Sequence, residues 1–346
     1  MCRWAGKRLG EPDRSRNGEL GAVATPEIGT WSEPGPDFLV LANETCPDEA
    51  QRRVLRARGL TRCVRSTTGT RRPGIDFAAL QPLAVIGHLS RDIVAGTAPR
   101  IGGAPWYAGR ALHKLGQDAV LFAKCGAEDR ARFQRRLATL GLPASLATGG
   151  ETTSFSLSYD ADGHRTMTVE AIGEPWRTDE PQSMLLRRVE WLHVAPLLRS
   201  DFDAAALERL GLGRKLMLDA QGLVRAPKLG PLQLDANYDP DLLRHVSILK
   251  VAEEEARVLV GDASPEALAE LVIPEIVLTL GSAGCVVIVR GQAEHVPARP
   301  VKGGADPTGA GDAFGAAYVA ARAEGHAPAS AARRATALVA ALMMGG

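Results

Sequence analysis

Residues 303–312 read Gly-Gly-Ala-Asp-Pro-Thr-Gly-Ala-Gly-Asp, and a helix-like run rich in alanine, Ala313 to Ala321, follows at once. The small residues Gly309, Ala310 and Gly311 let backbone approach a ligand without side-chain obstruction. Their amides stand where a helix begins, and there unsatisfied N–H groups and the positive end of the helix dipole attract an anion. Asp312 sets a carboxylate beside that anion site. A negative charge so placed is costly unless it has work to do, such as taking a proton from a hydroxyl. An anion hole next to a base is a phosphotransferase arrangement.

Other polar groups fall at the ends of apolar runs. Gly87 through Asp92 follow Leu83–Ile86, Asp219 follows Leu216–Leu218, and Gly281 follows Ile276–Leu280. Open α/β sheets bind ligands beyond the carboxyl ends of their strands, so these distant segments are expected along one rim. The chain has no Gly-x-x-x-x-Gly-Lys-Ser/Thr and no Gly-x-Gly-x-x-Gly after the first strand, which excludes a Walker cradle and weakens a dinucleotide-binding reading. It also lacks His-Glu-x-x-His and Gly-x-Ser-x-Gly, the residues of metalloproteases and hydrolases. The seven histidines show no ligand spacing, and His88 and His193, at strand ends, read as packing or loop residues.

The elements that must position these groups begin near Pro82. Apolar runs predict strands at Leu83–Gly87, Ala119–Ala123, Trp191–Ala195, Leu216–Asp219, Ile248–Val251, Ile276–Leu280 and Val286–Val289. Helical spacing predicts helices at Pro105–Leu115, stopped by Gly116, and Asp129–Leu140, stopped by Gly141. This alternation predicts a doubly wound, mostly parallel central sheet with helices on both faces. Asp160-Ala161-Asp162-Gly163 marks a β-hairpin at about 152–171, a flap beside the sheet. Residues 1–80, rich in Arg, Pro, Gly and Glu, are expected to be a disordered or loosely packed extension carrying a short helix at 47–58, with 81–346 as the folded domain.

Composition narrows the class further. A net charge of +1 over 346 residues gives no electrostatic footprint for nucleic acid or an anionic membrane. The five cysteines are scattered and form no Cys-x-x-Cys pair, which favours a reducing cytoplasm over a disulfide scaffold or zinc site. No apolar run reaches the roughly 18 residues of a membrane span.

The order Asp306-Pro307-Thr308-Gly309-Ala310-Gly311-Asp312-Ala313-Phe314 resembles the second signature of the ribokinase-like, or phosphofructokinase-B, family of carbohydrate and nucleoside kinases. The resemblance extends over nearly all of residues 82–346. It implies a ribokinase-like fold with a small β lid, and transfer of the ATP γ-phosphoryl group to a hydroxyl of a sugar or polyol. Asp312 would then be the base and the amides of Gly309, Ala310 and Gly311 the anion hole. Asp306 and Thr308 match positions that in some members help bind a monovalent cation such as potassium. Thr279, Gly281, Ser282 and Gly284 fall in what looks like the nucleotide loop. Gly102 and Gly103 resemble the first signature, and Asp92 the acid that accepts hydrogen bonds from substrate hydroxyls.

Three departures from the family stand out. Tyr107 occupies a place where an Asn is common in the substrate pocket. The Asn-x-x-Glu motif that organises magnesium-bound water and phosphate reads Ala252-Glu253-Glu254-Glu255, keeping Glu255 and losing the amide. The link from Asp92 to Gly102 is short, which points to a lid reduced to the hairpin. Asp219-Ala220-Gln221-Gly222-Leu223-Val224-Arg225 and Ile248-Leu249-Lys250 look most like plant myo-inositol kinases, and Arg225 reads as the partner of a structural carboxylate in preference to the alternative, a phosphate. The alternatives are a nucleoside kinase, with Trp106 and Tyr107 stacking on a base, or a weakly catalytic ligand-binding regulator on the same fold. The resemblance leaves both monomer and homodimer open.

Overall fold

The computed structural model describes residues 83–94, 97–159, 165–177, 186–301 and 307–345. The expected extension at 1–80, with its short helix, lies outside them. The first described strand explains the architecture. In β1 (Leu83–His88) every residue is buried. Leu83 and Val85 join one apolar cluster, while Ala84 and Ile86 join another. Successive side chains on a strand point to opposite faces, so a strand apolar at every position must be covered on both sides.

Eight further strands join it, the inner ones buried along most of their length and the two edge strands largely exposed. These are β4 (Val120–Cys125), β5 (Ala144–Thr148), β8 (Trp191–Val194), β9 (Lys215–Asp219), β11 (Ile248–Ala252), β12 (Glu275–Thr279), β13 (Cys285–Val289) and β14 (Gln292–Val296). With β1 they form a nine-stranded sheet in the order β14-β13-β12-β11-β9-β8-β1-β4-β5. It is parallel from β12 to β5, and β13 and β14 add an antiparallel edge. One face carries helices α1 (Ala104–Leu115), α7 (Ala310–Ala323) and α8 (Pro328–Gly345). The small residues Ala313, Ala316, Ala317 and Ala320 let α7 lie close to the sheet. The other face carries α3 (Ala204–Gly211), α5 (Glu253–Val260) and α6 (Pro265–Ala269). A helix α2 (Arg130–Ala138) precedes β5, and a one-turn helix α4 (Gln221–Val224) follows β9.

The flap is broader than the expected hairpin. Strands β6 (Gly150–Tyr159) and β7 (Arg165–Gly173) form it, and β2 (Ser90–Val94), β3 (Arg100–Gly102) and β10 (Gly230–Pro231) extend it to five strands. Hence the link from Asp92 to Gly102 does not skip the lid; it supplies two of its strands. Leu89 is the crossing point, where the strand leaves the central sheet and its amide donates to Lys124 O at 2.9 Å. Strands of three and five residues with mixed polarity carry too little periodicity to be seen in sequence.

Candidate active site

The carboxyl ends of the central strands open into a cleft of about 210 Å³. Its first wall comes from the lid. On β2, Asp92 is buried and accepts from Ser90 Oγ at 2.7 Å and from the Tyr107 hydroxyl at 3.5 Å. Gly102, at the end of β3, is required by that carboxylate, since a Cβ there would lie 2.2 Å from Asp92 Oδ2. Gly102 itself does not line the cleft, but Gly103 does. Phe155, Met167 and Leu197 add an apolar surface to the same chamber.

The opposite wall is the turn before α7. Gly309 has φ 79°, in the left-handed region that favours glycine, and it caps the helix. Within this turn the Ala310 amide is spent on Pro307 O at 2.9 Å. The Gly309 and Gly311 amides donate to no backbone acceptor among the described residues. Of the three amides expected to form an anion hole, Ala310 is thus the one that already has a backbone partner. Thr308 also lines the cleft, while Asp306 lies outside the described residues.

The floor is a buried charge cluster. Asp219 and Lys250 sit in register on β9 and β11, with Nζ 2.7 Å from Oδ2. Burial alone would raise the Asp219 carboxyl, but the Lys250 ammonium outweighs it and holds Asp219 below the usual carboxylate range. Burial likewise opposes the charge on Lys250, yet Asp219 and Glu255 keep it protonated. Glu255, in the first turn of α5, accepts from the Ala252 amide at 2.8 Å. Burial, then the neighbouring Asp219, raises its carboxyl. Asp312 reaches the cleft from the first turn of α7, pushed up to about 7 by burial and then by Asp219, against the pull of Lys250 and Arg225.

The remaining expected residues divide. Thr279 lines the cleft at the end of β12. Gly281, Ser282 and Gly284 do not; Gly281 and Ser282 are exposed, and Gly284 is buried where a Cβ would meet Val296 O at 2.1 Å. Trp106 does not line the cleft but an adjoining cavity of about 1100 Å³ that shares Tyr107, Thr308 and Gly309 with it, and the guanidinium groups of Arg110 and Arg136 lie over its ring. Tyr107 lies against Gly309. His88 is a tie within the fold, with one ring nitrogen 2.8 Å from Glu174 O and the other 3.1 Å from Asp201. His193 packs under α7 beside Gly315. Lys250 had a signal that residue spacing alone did not exploit: a lone charge inside an apolar strand is buried and must be paired.

The fold agrees with the comparisons to known proteins. The model of the pfkB family carbohydrate kinases matches residues 91–344. The chain belongs to the PfkB family of carbohydrate kinases. A Klebsiella pneumoniae fructokinase is 29% identical over 243 residues, covering 63% of this chain and 76% of that protein. A pyrophosphate-dependent kinase of the ribokinase family, solved with a pyrophosphate analog and myo-inositol, superimposes with a TM-score of 0.65 at 24% identity, covering 75% of this chain and 94% of the other. Arabidopsis thaliana ribokinase, solved with ribose and ATP, gives a TM-score of 0.61 at 19% identity, with 76% and 93% covered. The kinase is a phosphotransferase with a hydroxyl group as acceptor, on a ribokinase-like fold.

Proposed function

We propose that this kinase transfers the γ-phosphoryl group of ATP to a hydroxyl of a sugar or polyol, an inositol among them. The observation that carries the reading is that one cleft holds Asp312, with its carboxyl raised to about 7, the open amides of Gly309 and Gly311, and Asp92 on the facing wall. The polar pair Ser90 and Asp92 beside an apolar surface of Phe155, Met167 and Leu197 suits a ring with hydroxyls at its edge and C–H bonds on its face.

In this mechanism Asp92 orients the acceptor and Asp312 accepts the proton of the attacking hydroxyl. A base with a pKa near neutrality combines availability with driving force. The turn amides are fixed dipoles aimed at charge on the transferring group, so no reorganisation is required as it develops. Among the described residues no three acids or histidines converge into a metal cage. Such a donor set fits magnesium carried largely on donor phosphates and water, with Glu255 at its outer side. When bound, that ion would neutralise phosphate charge. For a monovalent cation such as potassium, Thr308 is the described residue in position.

A nucleoside acceptor is the second reading, and Phe155 and Tyr107 are the rings lining the cleft for a base to stack on. The regulator reading is weakened by Asp312, because a binder gains nothing from an ionisable acid held beside an anion hole. The test is acceptor-dependent ADP release with Mg·ATP and a panel of myo-inositol, D-fructose, D-ribose and inosine, repeated with pyrophosphate as donor and read as acceptor-dependent orthophosphate release. Turnover with a polyol or sugar is expected. Turnover with inosine alone selects the second reading, and none with any acceptor overturns both.

A further inference from the structure

Among the described residues lining the cleft, positive charge comes from Lys250 and Arg225, against the acids Asp92, Asp219, Glu254, Glu255 and Asp312. Lys250 is committed to Asp219. Arg225 has no such commitment: its side chain makes no hydrogen bond or ion pair among the described residues. The nearby carboxylate that would have served it, Asp235, is taken by both terminal nitrogens of Arg199, at 2.6 and 3.2 Å. The sequence-based expectation of a structural carboxylate for Arg225 is thereby corrected.

The backbone fixes where this guanidinium goes. Arg225 follows α4; its amide donates to Gln221 O and its carbonyl accepts from Arg199 N, each at 3.0 Å, and it bridges to Leu234. Arg225 thereby lines the same cleft as Asp92 of the lid and Asp312 of α7. Its charge reaches both Glu255 and Asp312. A polyphosphate entering a cleft lined by five acids requires a cation that is not already neutralised. A planar guanidinium matches two phosphoryl oxygens at once, which an ammonium does not.

We propose, resting on the kinase reading above, that Arg225 is a catalytic residue whose guanidinium grips the phosphoryl group as it passes from donor to acceptor. In that step the acceptor oxygen forms the new bond to the γ-phosphorus. The bond from that phosphorus to the bridging oxygen breaks, and its electron pair stays on the β-phosphate of ADP. The hydroxyl proton goes to Asp312. Arg225 gains and loses no proton; it neutralises charge on the equatorial oxygens throughout.

The test compares Arg225→Gln, Arg225→Lys and Arg225→Ala with the wild type, titrating Mg·ATP and Mg·ADP by calorimetry and measuring transfer to myo-inositol and D-fructose. Losing a charge-assisted contact to the terminal phosphoryl should weaken Mg·ATP by about tenfold or more and leave Mg·ADP within about twofold. Turnover of Arg225→Gln should fall by about 10² to 10³. Free guanidinium should restore part of the rate to Arg225→Ala, and Arg225→Lys should recover less than its charge alone predicts. Unchanged Mg·ATP affinity and turnover would overturn the proposal. So would equal loss of both nucleotides with a lowered melting temperature, the signature of a structural role. If the wild type binds Mg·ATP but phosphorylates neither acceptor, the acceptor reading fails while the nucleotide comparison still decides Arg225. A wild type that does not bind Mg·ATP overturns both.

Discussion

The ring of Tyr107 lies flat against Gly309, so closely that a Cβ on residue 309 would stand 2.2 Å from both Cγ and Cδ1 of the tyrosine. The same tyrosine directs its hydroxyl to Asp92. One side chain thereby braces the anion-binding turn against the acid on the facing wall.

Gly309→Ala is consequently opposed twice, by the ring and by a φ of 79°. The left-handed conformation alone costs an L-residue about 1–2 kcal/mol. Turnover should fall at least tenfold. Adding Tyr107→Ala removes the collision but not the backbone penalty, so the double variant should recover part of the loss in melting temperature and little of the rate. Full recovery of both would show that the turn conformation is dispensable.

Asp312→Asn should keep Mg·ATP binding and lose phosphorylation by orders of magnitude, measured as acceptor-dependent ADP release. It should also stabilise the fold. The folded carboxyl titrates near 7, above its unfolded value, so ionising it costs stability as pH rises between the two. The gain in melting temperature over wild type should be greatest above pH 7 and shrink as pH falls toward 4.

The same group sets the pH dependence of the rate. As a base Asp312 works ionised, so log kcat/KM should rise with pH and level off above about 7. Lys250 is a cation that lowers the Asp312 carboxyl. Removing it in Lys250→Met should move that limb to higher pH. The variant also leaves Asp219 buried without its partner, a loss of about 3–5 kcal/mol. An acid limb that stays in place in a folded Lys250→Met protein would assign the titration to another group.

Gly102→Ala addresses the acceptor side. A methyl 2.2 Å from Asp92 Oδ2 must displace that carboxylate. The acceptor KM should rise at least tenfold while Mg·ATP affinity holds, because the donor-side residues lie on the opposite wall. Equal loss of donor binding would place Asp92 outside the acceptor pocket.

The central sheet and the turn that carries Asp312 into the cleft were legible because each has a strong local signature. Strands such as Leu83–His88 are apolar at every position, and the Gly309–Asp312 turn combines small residues, an acid and a helix start. The lid strands were not, since β2 and β3 take their structure from pairing with distant segments rather than from their own pattern. Gly281 and Ser282 are exposed at the end of β12 and outside the cleft lining, so their reading as a nucleotide loop rests on the resemblance and not on the cleft. Charge partners such as Asp219 and Lys250 become visible only when strand order puts them side by side.

One extended stretch of chain runs from the central sheet through Leu89 into the lid, and Asp92 rides on its far part while Asp312 is anchored to a helix of the body. The gap between Asp92, proposed to hold the alcohol, and Asp312, proposed to deprotonate it, is therefore a property of how two layers meet. Whatever tilts the flap tunes that gap, so reactivity toward a small intruder such as water is governed by posture as well as by chemistry.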